Sequence, residues 1–127
     1  MNYFFDNNIS FRYADMLKAL GVSAVALREV FPQSIKDPDL LHALKGTDYV
    51  FVSSEQRMRH KPIEAALLRE ANITALFFAP FWGKLGFWEA AIWLLRRWEL
   101  IDGFARGVAK GTCANVQQNG RSRIFQP

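Results

Sequence analysis

Short runs of apolar residues alternate along this chain with stretches in which apolar side chains recur at helical spacing. The runs predict strands over residues 2–6, 22–27, 49–52, 74–78, 112–116 and 121–125. The amphipathic stretches predict helices over residues 10–21, from residue 37, over residues 62–70 and over residues 86–103. This alternation predicts a three-layer α/β/α fold, with a mostly parallel central sheet and helices on both of its faces.

Residues with strong positional preferences mark the ends of the predicted helices. Ser10 and Asp37 are expected as N-caps, and Pro38 at the first helical position. Gly21 is expected just past a helix end. The apolar residues predicted to form buried helix faces are Phe11, Ala14, Leu17, Ala19 and Leu20 on the first helix, and Trp88, Ala91, Ile92, Leu95 and Trp98 on the last.

The C-terminal segment contains Asn119-Gly120 between two apolar runs, which is the strongest short hairpin signal in the chain. A length of 127 residues is typical of one domain. We therefore expect a single domain over residues 1–127, with a core over residues 1–105 and a C-terminal hairpin segment over residues 106–127.

The composition favours a folded protein of the cytoplasm. Half of the residues are apolar and only 22% are charged, which excludes the composition of a disordered chain. The single cysteine, Cys113, excludes an intrachain disulfide and the common multi-cysteine zinc sites, and we interpret it as a small buried residue. Proline, glycine and charged residues interrupt the apolar region over residues 73–95 before it reaches the ~20 residues of a membrane span. We expect a soluble, cytoplasmic protein with no membrane partner.

Three acidic residues stand at the ends of predicted elements. Asp6 follows the first strand, Asp37 opens a helix and Glu55 follows the third strand. The carboxyl ends of the first and third strands lie at one edge of a parallel sheet, and Asp37 reaches that edge only if the loop over residues 31–36 folds over it. Carboxylates ~4 Å apart repel by about 4 kcal/mol at an effective dielectric of about 20, so such a cluster holds either protons or a cation. Oxygen ligands of this kind suit Mg²⁺ or Mn²⁺.

Each acidic residue also has a purely structural interpretation. Asp6 precedes two asparagines and could form a turn, Asp37 could be only a helix cap, and Glu55 could be a solvated loop residue. Asp39 is expected to interact with the helix dipole. Glu29 is expected to form a surface ion pair with a neighbour such as Arg28.

A basic run directly follows Glu55. Its cations Arg57, Arg59 and Lys61 would hold the phosphates of an RNA strand if Glu55 lines a metal site. The alternative is an ordinary solvated loop. We interpret the aromatic residues of the segment 77–82 as core or interface residues rather than as stacking surfaces for bases. The net charge of +4 is compatible with a phosphate-binding surface but does not require one.

Several segments between Tyr3 and Phe78 resemble the PIN-like nucleases, and more narrowly the toxin-type subgroup related to VapC ribonucleases. The segments that carry the resemblance are Phe5-Asp6-Asn7-Asn8, Val25 to Phe31, Asp37-Pro38-Asp39-Leu40-Leu41 and Val50 to Arg57. In such proteins the last segment usually reads as an apolar strand, then threonine, a variable residue and aspartate. This chain has Ser53 and Glu55 at those two positions, and it has no clear acidic residue after the strand over residues 74–78, where many PIN nucleases have one.

The resemblance implies a metal-dependent endoribonuclease that acts as the toxin of a toxin–antitoxin pair. It implies catalytic, metal-holding roles for Asp6, Asp37 and Glu55 with Mg²⁺ or Mn²⁺, and an RNA substrate. It also implies a cognate antitoxin protein as partner, and a homodimer or a hetero-oligomer with that antitoxin. The alternative hypothesis is a catalytically weak PIN-like module that binds RNA or a protein, which Glu55 and the missing fourth carboxylate favour.

Overall fold

The predicted strands form one six-stranded sheet in the computed structural model, which describes residues 1–127. The strands are β1 (Asn2–Phe5), β2 (Ala24–Ala26), β3 (Tyr49–Ser53), β4 (Thr74–Phe78), β5 (Cys113–Val116) and β6 (Ser122–Phe125). Their order across the sheet is β2-β1-β3-β4-β5-β6. All neighbouring pairs are parallel except β5 and β6, which form an antiparallel hairpin. The predicted fold class is therefore confirmed.

Helices cover both faces of this sheet. They are α1 (Phe11–Ala19), α2 (Leu27–Val30), α3 (Asp37–Leu44), α4 (Pro62–Ala71) and α5 (Phe87–Gly107), and two 3₁₀ turns lie over Gln56–Arg59 and Pro80–Lys84. The short helix α2 was not predicted, because its four residues follow β2 directly and are too few to show helical periodicity. None of the helices is long and apolar enough to cross a membrane.

The alternation of side chains along β1 divides the core into two clusters. Tyr3 and Phe5 point into a cluster that contains buried residues of α1 and α5, whereas Phe4 points into a cluster that contains buried residues of α3 and α4. Because both faces of β1 are covered, the strand reads as a continuous apolar run, as is typical of a parallel sheet.

The structure confirms only part of the predicted apolar face of α5: Ala91 and Trp98 are buried as expected, and the other three residues are not. Its buried residues are Ala90, Ala91, Trp93, Leu94, Trp98, Ile101 and Ala105. Trp88, Ile92 and Leu95 were predicted to be buried but are exposed, Trp88 at 77% of its surface. Both stripes have helical spacing, and long-range contacts select one of them: Trp93 packs edge-on against Phe78 and donates its indole N–H to the carbonyl oxygen of Gln118 at 2.7 Å.

The predicted face of α1 also needs correction. Tyr13, Ala14 and Leu17 are its buried residues, and Leu20 is 65% exposed. Phe11 and Ala19 are exposed as well. Tyr13 is buried despite its hydroxyl because that group donates a 3.0 Å hydrogen bond to the carbonyl oxygen of Phe87.

Most of the predicted helix ends agree with the structure. Ser10 is the N-cap of α1, and its side chain accepts a hydrogen bond from the backbone N–H of Arg12. Gly21 has a φ of +93°, the left-handed conformation that suits glycine after a helix. The prediction that Asp37 is an N-cap is wrong: Lys36 occupies that position, and Asp37 is the first residue of α3.

The order of the strands determines where a ligand site is expected. The chain leaves β1 for its neighbour β2 and then crosses to β3 on the other side of β1. The crevice outside the carboxyl ends of β1 and β3 is therefore a topological switch point, the usual ligand-binding position in such sheets. Asp6 follows β1 at this crevice, and Ser53 ends β3 there.

Candidate functional site

Asp6 is a buried carboxylate at the switch point, with only 6% of its surface exposed. Its backbone N–H donates to the carbonyl oxygen of Val52 at 2.9 Å, which joins the chain after β1 to β3. Oδ1 accepts the backbone N–H of Asn7 at 2.8 Å. Oδ2 accepts the hydroxyl of Ser53 at 2.9 Å and the side-chain amide of Asn8 at 3.2 Å. Asp6 is thus held in one orientation by groups from β1 and β3.

The groups around Asp6 have opposing effects on its pKa. Burial raises the pKa, the hydrogen bonds from Asn7 and Ser53 lower it, and the negative charge of Asp37 raises it; the net effect is an increase. Burial and the negative charge of Asp37 therefore both oppose ionisation of Asp6. A bound cation would relieve both.

Asp37 can reach the sheet edge only if the loop before it folds over that edge. The loop over residues 31–36 folds toward the end of β1, where the side-chain amide of Asn7 donates to the carbonyl oxygen of Gln33 at 3.1 Å. Asp37 is half-buried, and its pKa is raised first by burial, then by the charges of Glu64 and Glu55. The structure therefore brings Asp6 and Asp37 into one electrostatic environment.

Glu55 lies near this environment but is engaged by a cation. Its Oε1 accepts hydrogen bonds from the backbone N–H and the Nε of Arg57, and its Oε2 accepts one from Nη2, all at 3.0 Å. The Arg57 side chain is the main reason that the pKa of Glu55 is lowered. No group of three or more acidic, histidine or cysteine side chains is arranged to hold a metal ion. The charge of Asp37 thus acts on Asp6, and Glu55 binds Arg57.

Ser53 and Asn8 connect the ends of β1 and β3. Besides donating to Asp6, the hydroxyl of Ser53 accepts the backbone N–H of Glu55 at 3.0 Å. The side-chain oxygen of Asn8 accepts the backbone N–H and the hydroxyl of Ser54, at 2.9 and 3.1 Å. The serine hydroxyl that stands in place of the usual threonine is thus used to orient the Asp6 carboxylate.

Glu64 is an acidic residue near the site that sequence reasoning missed. It is half-buried in the first turn of α4, and its charge raises the pKa of Asp37 more than that of Glu55 does. Glutamate in a first helical turn is common because it favours the helix dipole, so its position in the sequence did not mark it. Glu64 and Glu55 lie on different elements of the chain, and both of their charges act on Asp37.

The three basic residues predicted to bind RNA have different partners. Arg57 is paired with Glu55. Arg59 lies over the ring of Phe125, with its guanidinium 3.8 Å from the ring centroid. Lys61 precedes α4 at its N-cap position, and its charge lowers the pKa of Asp37. Lys61 and Arg57 are therefore the cations close to the acidic pair, whereas Arg59 packs against the hairpin.

The remaining candidates have structural roles. Glu29 forms its ion pair with Lys18 at 2.9 Å, not with Arg28, and it also accepts the backbone N–H of Ala26 at 2.7 Å. Asp39 is exposed in the first turn of α3, as expected for a residue that serves the helix dipole. The aromatic residues of β4 and the turn after it that pack in the core are Phe77, Phe78 and Trp82. Cys113 is buried, and burial raises its pKa to about 11.

A small cavity lies beside Asp6. Its volume is about 110 Å³, and its lining includes Asp6, Asn7, Phe11, Arg28 and Gln33. A larger depression of about 640 Å³ lies at the opposite edge of the sheet, near Asn2, Ser23, Gly46, Thr47 and Asp48. That depression contains one acidic residue and no basic one, whereas the smaller cavity contains the buried carboxylate of Asp6 and the guanidinium of Arg28.

A known protein family matches the part of the chain that contains these acidic residues. Residues 1–80 match the family model of a PIN-like domain. The chain belongs to the PIN-like domain family. This family has a nuclease-type fold, and PIN domains generally use divalent metal ions. The matched region contains all four acidic residues of the candidate site described above, whereas α5 and the hairpin lie beyond it. These residues are Asp6, Asp37, Glu55 and Glu64. No curated protein and no solved structure gave a significant match.

Proposed function

We propose that this PIN-like domain is a metal-dependent endoribonuclease in which Asp6 and Asp37 hold Mg²⁺ or Mn²⁺. The observation that carries the proposal is the buried carboxylate of Asp6 at the switch point, on which the charge of Asp37 acts; both carboxylates have a raised pKa. Neither carboxylate forms an ion pair with a side chain of the protein. Carboxylates that repel each other and form no direct ion pair are suited to a divalent cation that arrives from solution.

The donor atoms near Asp6 fit a hard divalent cation. Oδ1 of Asp6 accepts only the N–H of Asn7 and retains a free lone pair, and Asp37 supplies a second carboxylate. Mg²⁺ commonly binds through one or two carboxylates and completes its coordination with water and substrate phosphate oxygens. A third protein carboxylate is therefore not required. Glu55 would become a ligand only after its carboxylate separates from Arg57.

The side chains of this site would divide the work of phosphodiester hydrolysis. A bound divalent ion supplies an acidified water and stabilises charge on the phosphate. Ser53 and Asn8 fix the orientation of Asp6, so that its free lone pair points in one direction. Arg57 and Lys61 provide positive charge for the phosphates of the RNA strand. Arg57 would then leave Glu55 for a substrate phosphate, which frees Glu55 to approach the acidic pair.

We further propose, from the resemblance to VapC-related proteins, that the domain acts as the toxin of a toxin–antitoxin pair. An antitoxin could neutralise Asp6 and Asp37 by inserting a basic side chain between them, because both acids lack an ion-pair partner. A homodimer or a hetero-oligomer with the antitoxin belongs to the same proposal. A small DNA-binding protein encoded beside this chain would support the toxin role.

One observation favours a second candidate function. The Arg57 side chain binds both oxygens of Glu55, so the third predicted ligand is already neutralised within the protein. A PIN-like domain in this state could bind RNA or a partner protein without cleaving it. The two candidates differ in whether metal and Asp6 matter, and this difference is measurable.

The test combines metal binding with RNA cleavage. Mg²⁺ or Mn²⁺ should raise the Tm of the wild-type chain, and RNA cleavage should stop in excess EDTA. Asp37→Asn should abolish both effects, while the matched control Asp39→Asn should abolish neither, because it removes the same charge from the same helical turn of α3. Cleavage that persists in EDTA would overturn the mechanism, and the absence of any metal effect at millimolar concentration would favour the binding module.

A further inference from the structure

Phe11 and Arg28 form an exposed stack beside the acidic site. Phe11 is the first residue of α1 and is 38% exposed. The guanidinium of Arg28, from α2, lies 4.3 Å from the centroid of the Phe11 ring. The two residues are far apart in sequence but are brought together because β1 and β2 pair in parallel. An aromatic ring and a guanidinium in this arrangement form a flat, cationic surface.

Arg28 is not neutralised by a carboxylate. Its neighbour Glu29 is already occupied by Lys18 and by the backbone N–H of Ala26. Arg28 forms no ion pair within 4.0 Å, although Asp15 lines a second depression next to it. The guanidinium therefore presents an uncompensated positive charge and free donors at the surface while it lies over the ring of Phe11.

This stack lines the same cavity as Asp6. The cavity of about 110 Å³ contains Phe11 and Arg28 together with Asp6, Ser10 and Gln33. A group held on the stack would be adjacent to the buried carboxylate. A ligand that made only apolar contacts would not need the charge of Arg28. A ligand that offered only a phosphate would not need the exposed ring of Phe11. The combination indicates a ligand that has both a flat π-system and negative charge.

We propose that the Phe11–Arg28 stack is a subsite for an unpaired nucleobase whose adjoining phosphate reaches the Asp6 cavity. Unpaired bases stack on aromatic side chains and on arginine planes, and arginine donors hold phosphates. A base within a duplex has its faces covered by its neighbours and is not available to such a surface. The location next to the scissile phosphate rests on the proposed ribonuclease function, but binding of the base does not require cleavage.

The subsite is tested by binding in EDTA, where no metal-dependent cleavage occurs. Fluorescence anisotropy compares a short single-stranded RNA with an abasic ribose-phosphate strand of equal length. Phe11→Leu keeps apolar volume without the ring, and Arg28→Lys keeps the charge without the plane. Each should weaken binding of the RNA by about tenfold, the range of one lost stacking contact, and leave binding of the abasic strand unchanged.

A second pair in the same protein provides matched controls. Arg12 lies over the ring of Phe87 at 5.4 Å, and neither residue lines the cavity beside Asp6. Phe87→Leu and Arg12→Lys should each change RNA affinity by less than about twofold, because neither residue belongs to the proposed subsite. The loss of a base-stacking contact would have a much larger effect. Thermal unfolding verifies that all four variants fold.

Three results would overturn the subsite: no binding of RNA by the wild type, equal losses for RNA and abasic strand, or equal losses in the control pair. A chain that shows the expected binding pattern but never cleaves RNA would overturn the proposed function and leave the subsite standing. A chain that cleaves with metal but binds RNA equally well after Phe11→Leu and Arg28→Lys would overturn the subsite alone.

Discussion

Arg57 binds both oxygens of the Glu55 carboxylate, with its Nε on Oε1 and its Nη2 on Oε2, each at 3.0 Å. This pair stands beside Asp37, whose pKa is raised by Glu55 and lowered by Arg57. The pair therefore controls how much negative charge the acidic site presents. A cation that bound here from solution would compete with Arg57 for Glu55.

Removal of Arg57 should make the site a better metal site. Arg57→Gln releases the carboxylate of Glu55, so we expect a severalfold tighter apparent Kd for Mn²⁺, measured from the metal-induced shift in Tm. Arg106→Gln is the control, because it breaks another ion pair of similar kind, with Asp102 at 2.7 Å, away from the site. An unchanged Mn²⁺ affinity in Arg57→Gln would show that Glu55 does not contribute to metal binding.

The burial of Asp6 predicts a pH-dependent effect of its replacement. Its pKa is raised, mainly by burial, so its contribution to stability is present below the ordinary aspartate pKa and is lost as pH rises through the raised value. In EDTA, Asp6→Asn should therefore have a Tm a few degrees higher than the wild type near pH 8. The difference should shrink toward pH 4. Urea or thermal unfolding across this pH range measures it, and a difference that is constant with pH would contradict the assignment.

Ser53 should affect activity through the orientation of Asp6. Ser53→Ala removes the 2.9 Å hydrogen bond to Oδ2, and we expect a loss of about 10- to 100-fold in kcat/KM for RNA cleavage, as is typical when the partner of a metal ligand is removed. Ser53→Thr retains the hydroxyl and should retain most of the activity. If the alanine and threonine variants lose activity equally, packing rather than the hydroxyl is responsible.

Substitutions of the three predicted carboxylates should differ in their effect on RNA cleavage. Replacement of Asp6 or Asp37 should reduce the rate of RNA cleavage by about 100-fold or more. This loss is larger than the one expected when only the hydrogen-bond partner of a metal ligand is removed. Combining the two changes should add little, because groups that act as a unit are non-additive. Glu55→Asp should retain cleavage. Glu29→Gln serves as the control, since Glu29 pairs with Lys18 on α1. Additive losses in the double variant would indicate that Asp6 and Asp37 act separately.

The hairpin depends on the conformation of Gly120. Its φ is +83°, and a Cβ at this position would lie 2.9 Å from Cδ of Arg97. Gly120→Ala should therefore lower the free energy of unfolding by about 1–2 kcal/mol, the cost of left-handed backbone for other residues. Gly103→Ala is the matched control within α5: nothing lies within 4 Å of its Cβ position, and it should stabilise the chain by about 0.5–1 kcal/mol. Urea unfolding measures both, and equal effects would contradict this account.

Sequence alone determined the strands and the longer helices of this protein, and it placed Asp6 at one edge of the sheet. The strands follow from continuous apolar runs, the hairpin from Asn119-Gly120, and the position of Asp6 from its place directly after the first run. These features are local, because propensity, periodicity and turn chemistry act over a few residues. The order of elements then places the carboxyl ends of β1 and β3 at one edge.

The tertiary structure decided which groups meet. It paired Glu55 with Arg57, paired Glu29 with Lys18 rather than with Arg28, and buried Trp93 rather than Trp88 on α5. In each case several partners or faces satisfied the local pattern equally well. The partner of Glu55 lies two residues along the chain, in the turn after β3. The partner of Glu29 and the buried face of α5 depend on contacts between separate elements and on desolvation, which leave no periodic signal in the sequence.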